Sequence, residues 1–125
     1  MRLSNRDIYD SREALQRLVA RSDIPARYGI EIARMAKKLG DEIGIIDKQR
    51  VGLVKKYGKP EGRDFVVEPD TDEFNKFISE MDELLDADTE LEITKARVPN
   101  NIDIPVVDLM YLDSFVEIVD ASISP

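Results

Sequence analysis

The sequence predicts an α+β fold that is mostly α-helical. Its parts are a helical hairpin with one long helix and a small two-stranded β element covered by a third helix. Apolar residues of helical period in both halves and two short β-prone runs lead to this class. Hydrophobic residues make up 42% of the 125 residues, enough to bury a core despite 35% charged residues. We expect a single domain over 1–125, with the helical hairpin in 1–58 and an acidic α+β part in 64–125.

The first helix is predicted over residues 5–21. Ser4 is a suitable N-cap and Asp7 follows three residues later. Apolar residues then recur at helical spacing, namely Ile8, Leu15, Leu18 and Val19. Pro25 is favourable at the first position of a second helix, so the two helices are expected to form an αα-hairpin.

The second helix is predicted from Pro25 to Tyr57, and Gly58 is expected to supply a left-handed residue at its end. At about 1.5 Å per residue, such a helix spans on the order of 50 Å. A domain of this size cannot easily cover a helix of that length. We therefore expect part of its surface to pack on another chain.

Two rows of residues run along this helix. One is apolar and consists of Ile32, Met35, Leu39, Ile43 and Ile46. The other, the small-residue row, consists of Gly29, Ala33, Ala36, Gly40 and Gly44. A row of small residues lets a neighbouring helix approach closely. An equally weighted alternative is that Gly40 and Gly44 only weaken or kink the helix, at about 1 kcal/mol each relative to Ala.

The predicted interface combines both rows. It consists of Gly29, Ile32, Ala33, Met35, Ala36, Leu39, Gly40 and Gly44.

The second half is predicted to hold the β element. After a loop over 58–64, residues 65–68 are β-prone, and Leu91 and Ile93 alternate with polar residues as in a half-buried strand. We expect these two segments to pair.

Three further segments are predicted in this half. Asp70 and Glu73 form a capping-box-like start to a third helix. The helix presents a core face of Phe74, Phe77, Ile78, Met81, Leu84 and Leu85. A short helix follows near 106–112, and 115–119 are either a last strand or an extended tail.

Charge is divided unevenly along the chain. Residues 1–63 hold 15 Lys and Arg against 9 Asp and Glu, whereas residues 64–125 hold 3 against 17. The halves therefore carry +6 and −14, within a net charge of −8. This split restricts the kinds of partner that each surface attracts.

Composition excludes several classes of chemistry. The chain contains no Cys and no His, which excludes disulfides, thiolate zinc sites, Ser-His-Asp triads and HExxH sites. No glycine-rich phosphate loop of the GxGxxG or GxxxxGK[ST] type is present. No stretch has the length and apolarity of a signal peptide or a membrane span. We expect no catalytic activity, no cofactor and no contact with a membrane.

Two candidate ligand sites are disfavoured. The acidic stretch 86–92 is similar to the first half of a calcium loop, but Leu91 and Arg97 stand where such a loop needs Gly and Glu. The basic residues of the long helix and its exit are interrupted by acidic ones, and the net charge of −8 opposes approach to nucleic acid. Metal binding and nucleic-acid binding are therefore not expected.

Several segments, taken in order, resemble one family of small uncharacterised proteins encoded by tailed bacteriophages and prophages. They are Leu3-Ser-Asn, Ala14-Leu15-x-x-Leu18, Ile24-Pro25, Leu53-Val-Lys-Lys-Tyr57-Gly58, the Phe74 helix closing Leu84-Leu85, Glu90-Leu-Glu-Ile93 and Leu109-Met-x-Leu112. This chain differs in the four glycines inside its long helix and in a tail beyond Leu112. The resemblance implies a phage origin and carries over no catalytic residue.

These observations predict a phage-derived accessory or morphogenesis protein that acts by binding other proteins, as a homo-oligomer formed through the long helix. We expect it in the cytoplasm of the bacterial host or in the virion. The alternative hypothesis is an acidic inhibitor that imitates nucleic acid and occupies the nucleic-acid site of a host enzyme. It makes direct use of the acidic second half.

Overall fold

The computed structural model describes residues 1–121. The predicted class, α+β and mostly α, is confirmed, since 56% of the described residues are helical. The helices are α1 (Asn5–Asp10), α2 (Arg12–Val19), α3 (Ala26–Tyr57), α4 (Asp72–Asp86) and α5 (Val106–Leu112). The strands are β1 (Arg2–Ser4), β2 (Lys59–Glu61), β3 (Asp64–Val66), β4 (Asp88–Glu90), β5 (Ala96–Pro99) and β6 (Val116–Val119).

The predicted first helix is divided at Ser11 into α1 and α2. Ser4 does cap α1, since its side chain accepts a hydrogen bond from the backbone N–H of Asp7 at 3.1 Å. The hydroxyl of the buried Ser11 donates to the carbonyl of Ile8 at 2.7 Å, and the Arg12 guanidinium donates to the carbonyl of Tyr9 at 3.0 Å. In a continuous helix these carbonyls would accept from backbone amides, so side-chain competition explains the break.

The long helix α3 is confirmed and runs without interruption through Gly40 and Gly44. Its end differs from the prediction, because Gly58 has φ −90° and ψ 167° and is extended, not left-handed. Glycine is needed there for space. A Cβ at this position would overlap the carbonyl oxygen of Val54 and lie 3.2 Å from that of Val66.

The predicted pairing of the Phe65 segment with the Leu91 segment is wrong. β3 pairs with β2 in a local antiparallel hairpin, whose turn contains Gly62 at φ +63°. Leu91 and Ile93 lie outside any strand and pack half-buried against the core. β4 instead pairs antiparallel with β1 at the start of the chain.

The third helix is confirmed as α4, with two differences. Its N-cap is Thr71, whose hydroxyl oxygen accepts from the N–H of Phe74 at 3.1 Å, and Asp70 precedes it in the left-handed region at φ 62°. No residue of α4 is fully buried; Leu84 and Leu85 at its end pack against the core cluster.

The C-terminal elements form a parallel pair. β5 pairs with β6 in parallel register, and α5 lies in the connection between them. The short helix agrees with the prediction, and of the two alternatives for 115–119 the structure has the strand, whereas β5 was not predicted. The final residues, 122–125, belong to the predicted tail and lie outside the described residues.

The main core lies where α1, α2, the first two thirds of α3, α5, β5 and β6 meet. Its most deeply buried large side chains are Ile8, Tyr28, Met35, Leu39, Val98, Leu112 and Phe115. Within residues 1–121, the stretch 47–95 contains no buried residue. No helix in the described part is long and apolar enough to cross a bilayer.

Candidate interaction surfaces

The apolar part of the predicted interface lies inside the chain's own core. Ile32, Met35 and Leu39 are 3%, 2% and 0% exposed. They pack in one cluster with residues of α1 and α2. These three side chains therefore leave almost no surface for a partner chain to pack on in this fold, and the interface prediction is corrected for them.

The small-residue row lies beside this buried face and is largely open to solvent. Four of its members, Ala33, Ala36, Gly40 and Gly44, line a groove between α2 and α3 with a volume of about 850 Å³. The opposite wall comes from α2 and consists of Arg12, Leu15, Gln16, Val19 and Ala20. Gly29 is half-buried and lies outside this α2–α3 groove.

The groove is open at its glycines. A Cβ built on Gly40 or Gly44 would meet no atom within 4 Å. The chain therefore leaves room beside α3 where a small-residue row would allow another helix to approach.

A second open surface lies at the far end of α3. We call residues 47–83 the distal arm; they comprise the end of α3, the β2–β3 hairpin and most of α4. Its large apolar side chains include Val51, Phe65, Val66 and Ile78, which are 36%, 37%, 41% and 41% exposed. No apolar residue of the distal arm packs on the main core cluster. The arm therefore keeps apolar surface on regular secondary structure in contact with water.

Charges of opposite sign predominate on the two sides of the distal arm. The end of α3 and the hairpin contribute Lys48, Arg50, Lys55, Lys56, Lys59 and Arg63, against Asp47, Glu61 and Asp64. The α4 part of the arm contributes Asp72, Glu73, Glu80, Asp82 and Glu83, against Lys76. Only one salt bridge, Lys56 to Glu80 at 3.4 Å, connects the two helices within the described residues.

A third apolar surface is formed by α5. Val106 and Met110 are 75% and 73% exposed, while Asp108 on the same helix is 2% exposed. The Arg17 guanidinium of α2 donates to both carboxylate oxygens of Asp108, at 2.5–3.1 Å. This pair fixes α5 on α2, and its hydrogen bonds hold the pKa of Asp108 below its ordinary value.

Similar pairs connect other elements. Arg97 of β5 donates to both carboxylate oxygens of Glu31 on α3, at 2.7–3.2 Å, and lowers the pKa of that carboxyl. Arg50 donates to Asp47 at 3.0 Å and the Tyr9 hydroxyl donates to it at 2.9 Å; both lower its pKa. These carboxylates are held ionised, so they are poorly suited to donate protons near neutral pH.

Within residues 1–121, no group of three or more acidic side chains is arranged to hold a metal ion. The acidic residues around 86–92 instead contact cations of the N-terminal segment. Arg6 lies 3.1 Å from Asp86, and Arg2 lies 3.1 Å from Asp88.

Comparisons with protein-family models, with curated proteins and with solved structures give no match for this chain.

Proposed function

We propose that this protein is a non-catalytic binding protein that self-associates through its long helix. In the setting that the phage resemblance implies, it serves as an accessory or morphogenesis factor in the cytoplasm of the host bacterium or in the virion. The support comes from the surfaces along α3 that the chain leaves open and from ionisable side chains that are committed to structural ion pairs.

The observation that carries this proposal is the incomplete cover of the distal arm. Hydrophobic stabilisation grows with the apolar area removed from water, at about 25 cal/mol per Å². The arm leaves Phe65, Val66 and Ile78 more than a third exposed on regular secondary structure. Apolar side chains that are exposed on regular secondary structure and rimmed by charges are typical of protein–protein interfaces.

Charge complementarity favours a second copy as the partner on the distal arm. A two-fold axis between two arms places the basic α3 side of one copy opposite the acidic α4 side of the other. The same patch then serves both copies, as in an isologous dimer. A partner of a single charge sign would instead be repelled by one side of the arm.

The α2–α3 groove is the other open surface of the long helix. Its small residues allow close approach. Its rim contains charges of both signs, Arg12, Lys37 and Asp47, so charge does not indicate which kind of partner binds there. The proposal therefore places the self-association contact on the distal arm and treats the groove as a separately tested part of α3.

The experiment is a molar-mass measurement by light scattering on the purified chain and on three variants. Ile78→Ser in the distal arm is expected to reduce the mass towards that of the monomer, because it removes apolar contact area. Ile30→Ser is the matched control, since Ile30 is also on a helix and 51% exposed but lies outside the arm. Ala36→Leu reports on the groove, where a larger side chain would block close packing.

Two outcomes of the mass measurement would contradict the proposal. A wild-type chain of monomer mass at all concentrations would contradict self-association. An oligomer that survives Ile78→Ser and Ala36→Leu unchanged would show that the contact lies outside both the distal arm and the α2–α3 groove.

The alternative hypothesis of a nucleic-acid mimic has weaker support. A mimic needs a continuous row of free negative charges, whereas Asp82 and Asp86 share Arg6 and Glu80 lies beside Lys56. The basic side of the distal arm also interrupts the acidic surface. A mimic would bind its partner with an affinity that falls steeply with salt concentration, and this is the measurement that distinguishes it.

A further inference from the structure

A second, chemically different cavity lies on the other side of α3. It is a cleft of about 540 Å³ between α3 and residues 93–95, the segment that leads into β5. This volume is in the range of sites that hold small organic ligands. The basic cleft, as we call it, is separate from the distal arm and shares only Lys37 with the lining of the α2–α3 groove.

Cations line the basic cleft from both walls. Lys37 and Lys38 lie three and four residues after Arg34, the spacings at which helical side chains are neighbours, and Lys95 comes from the opposite wall. Lys38 is held in place by a hydrogen bond that it donates to the carbonyl of Glu92 at 2.6 Å. None of Arg34, Lys37 and Lys95 forms a salt bridge with a described residue.

The acidic residues of the cleft do not balance these charges. Glu31 is already bound by Arg97, with its shortest contact at 2.7 Å, so its negative charge is compensated. Asp41 is the other acidic residue in the lining. In a chain of net charge −8, four cations against two carboxylates in one concavity are a local reversal of sign.

The floor of the cleft is apolar. Met35 is 2% exposed and Ile93 is half-buried, and both line the cavity beneath the cations. A ligand that fits this arrangement has several negative charges at one end and an apolar or flat group at the other. Arginine and lysine together are the usual protein partners of phosphate groups.

We propose that the basic cleft binds a small organic molecule carrying a diphosphate or a comparable cluster of phosphate charges. The apolar floor takes the organic part, while Arg34, Lys37 and Lys95 contact the phosphate oxygens. A long nucleic acid is a poorer fit, because its charge would extend beyond the cleft onto a protein that is negative overall.

The proposal is tested by isothermal titration calorimetry with inorganic pyrophosphate, adenosine diphosphate and a short single-stranded DNA as probes. We expect both diphosphates to bind, with adenosine diphosphate tighter because of the apolar floor. Arg34→Gln and Lys95→Gln should each weaken binding roughly tenfold. Arg27→Gln is the matched control, since Arg27 is also exposed on α3 but lies outside the cleft, and it should change the affinity less than about twofold.

Three results would overturn the proposal. The first is the absence of binding heat with either diphosphate at about 1 mM. The second is an equal loss in cleft and control variants, which would indicate diffuse attraction by surface charge. The third is binding of the DNA alone, which would indicate a nucleic-acid surface. The mass measurement on the distal arm is independent of all three.

Discussion

At the scale of single residues, the burial of Asp108 is the clearest feature that the sequence pattern does not predict. A carboxylate among Val106, Val107 and Met110 looks like the polar side of a short amphipathic helix. The structure reverses this arrangement, with the acid buried on Arg17 and the apolar side chains exposed. Only the position of α2 makes this possible, and Arg17 is 91 residues away from Asp108 along the chain.

Asp108→Asn is predicted to lower stability at neutral pH and to change its dependence on acid. The pKa of Asp108 is lowered in the folded protein, because Arg17 hydrogen-bonds the ionised form. Its contribution is therefore present above the unfolded pKa of about 4 and is lost as the pH falls through the folded pKa. Urea midpoints should differ between variant and wild type at pH 7, and the difference should shrink in strong acid.

The control for this prediction is Asp113→Asn. Asp113 is exposed at the end of α5 and forms no salt bridge with a described residue. Equal effects of the two variants at pH 7 would contradict the assigned role of the Arg17–Asp108 pair.

Alanine substitutions at Gly58 and Gly52 are predicted to change the stability of the fold in opposite directions. Gly58→Ala is predicted to destabilise the fold by about 1–3 kcal/mol, since the added methyl group would overlap the Val54 carbonyl. Gly52→Ala is predicted to stabilise α3 by about 1 kcal/mol, since nothing lies within 4 Å of the added atom. Urea denaturation measures both, and a neutral Gly58→Ala would show that the close approach is absent.

At the scale of elements, helices were predictable and strand partners were not. The bounds of α3, α4 and α5 follow from periodicity and from punctuation by proline and glycine, which are local signals. The strands have three or four residues each, too few for a distinctive pattern. Their partners are set by tertiary packing, as when β1 at the start of the chain pairs with β4.

The candidate site shows the same limit. Periodicity correctly indicated that Ile32, Met35 and Leu39 are covered, but it does not say whether the cover comes from the same chain or from another. α1 and α2 supply it, because the break at Ser11 lets both short helices lie against α3. The exposure of the distal arm and the formation of the basic cleft both depend on tertiary packing. Neither can be predicted from the local sequence pattern.

Gly40 and Gly44 test whether the groove is used. In an isolated chain, Gly40→Ala with Gly44→Ala should raise stability by up to about 2 kcal/mol, because each change improves helix propensity by about 1 kcal/mol. If another helix packs closely in the α2–α3 groove, the methyl groups would obstruct it and the oligomer would weaken. Urea denaturation and light scattering on the double variant measure the two effects. Gly52→Ala, which lies outside the groove but in the distal arm, is the control for the urea measurement only.

At the scale of the whole molecule, the two ends of α3 have different cover. The chain covers one face of the first two thirds, which removes much of the apolar surface of the helix from water. The distal arm carries the rest, with Phe65 and Ile78 exposed between a basic and an acidic side. The proposed contact for a second copy of the chain is therefore located at one end of the molecule.

Association through the distal arm should also respond to salt. Unlike charges on facing arms attract each other, and this attraction is screened as ionic strength rises, because the Debye length falls from about 10 Å at 0.1 M to about 3 Å at 1 M. We expect sedimentation velocity to show slower association and a weaker oligomer at high salt. An oligomer strengthened by salt would indicate a contact that is apolar throughout, without opposed charges.

The most direct test of self-association is the mass of the unmodified chain in solution, measured by light scattering over a range of concentrations. The proposed contact predicts a mass at least twice the chain mass of 14.2 kDa, falling towards it on dilution. A constant mass of 14.2 kDa at every concentration would contradict it.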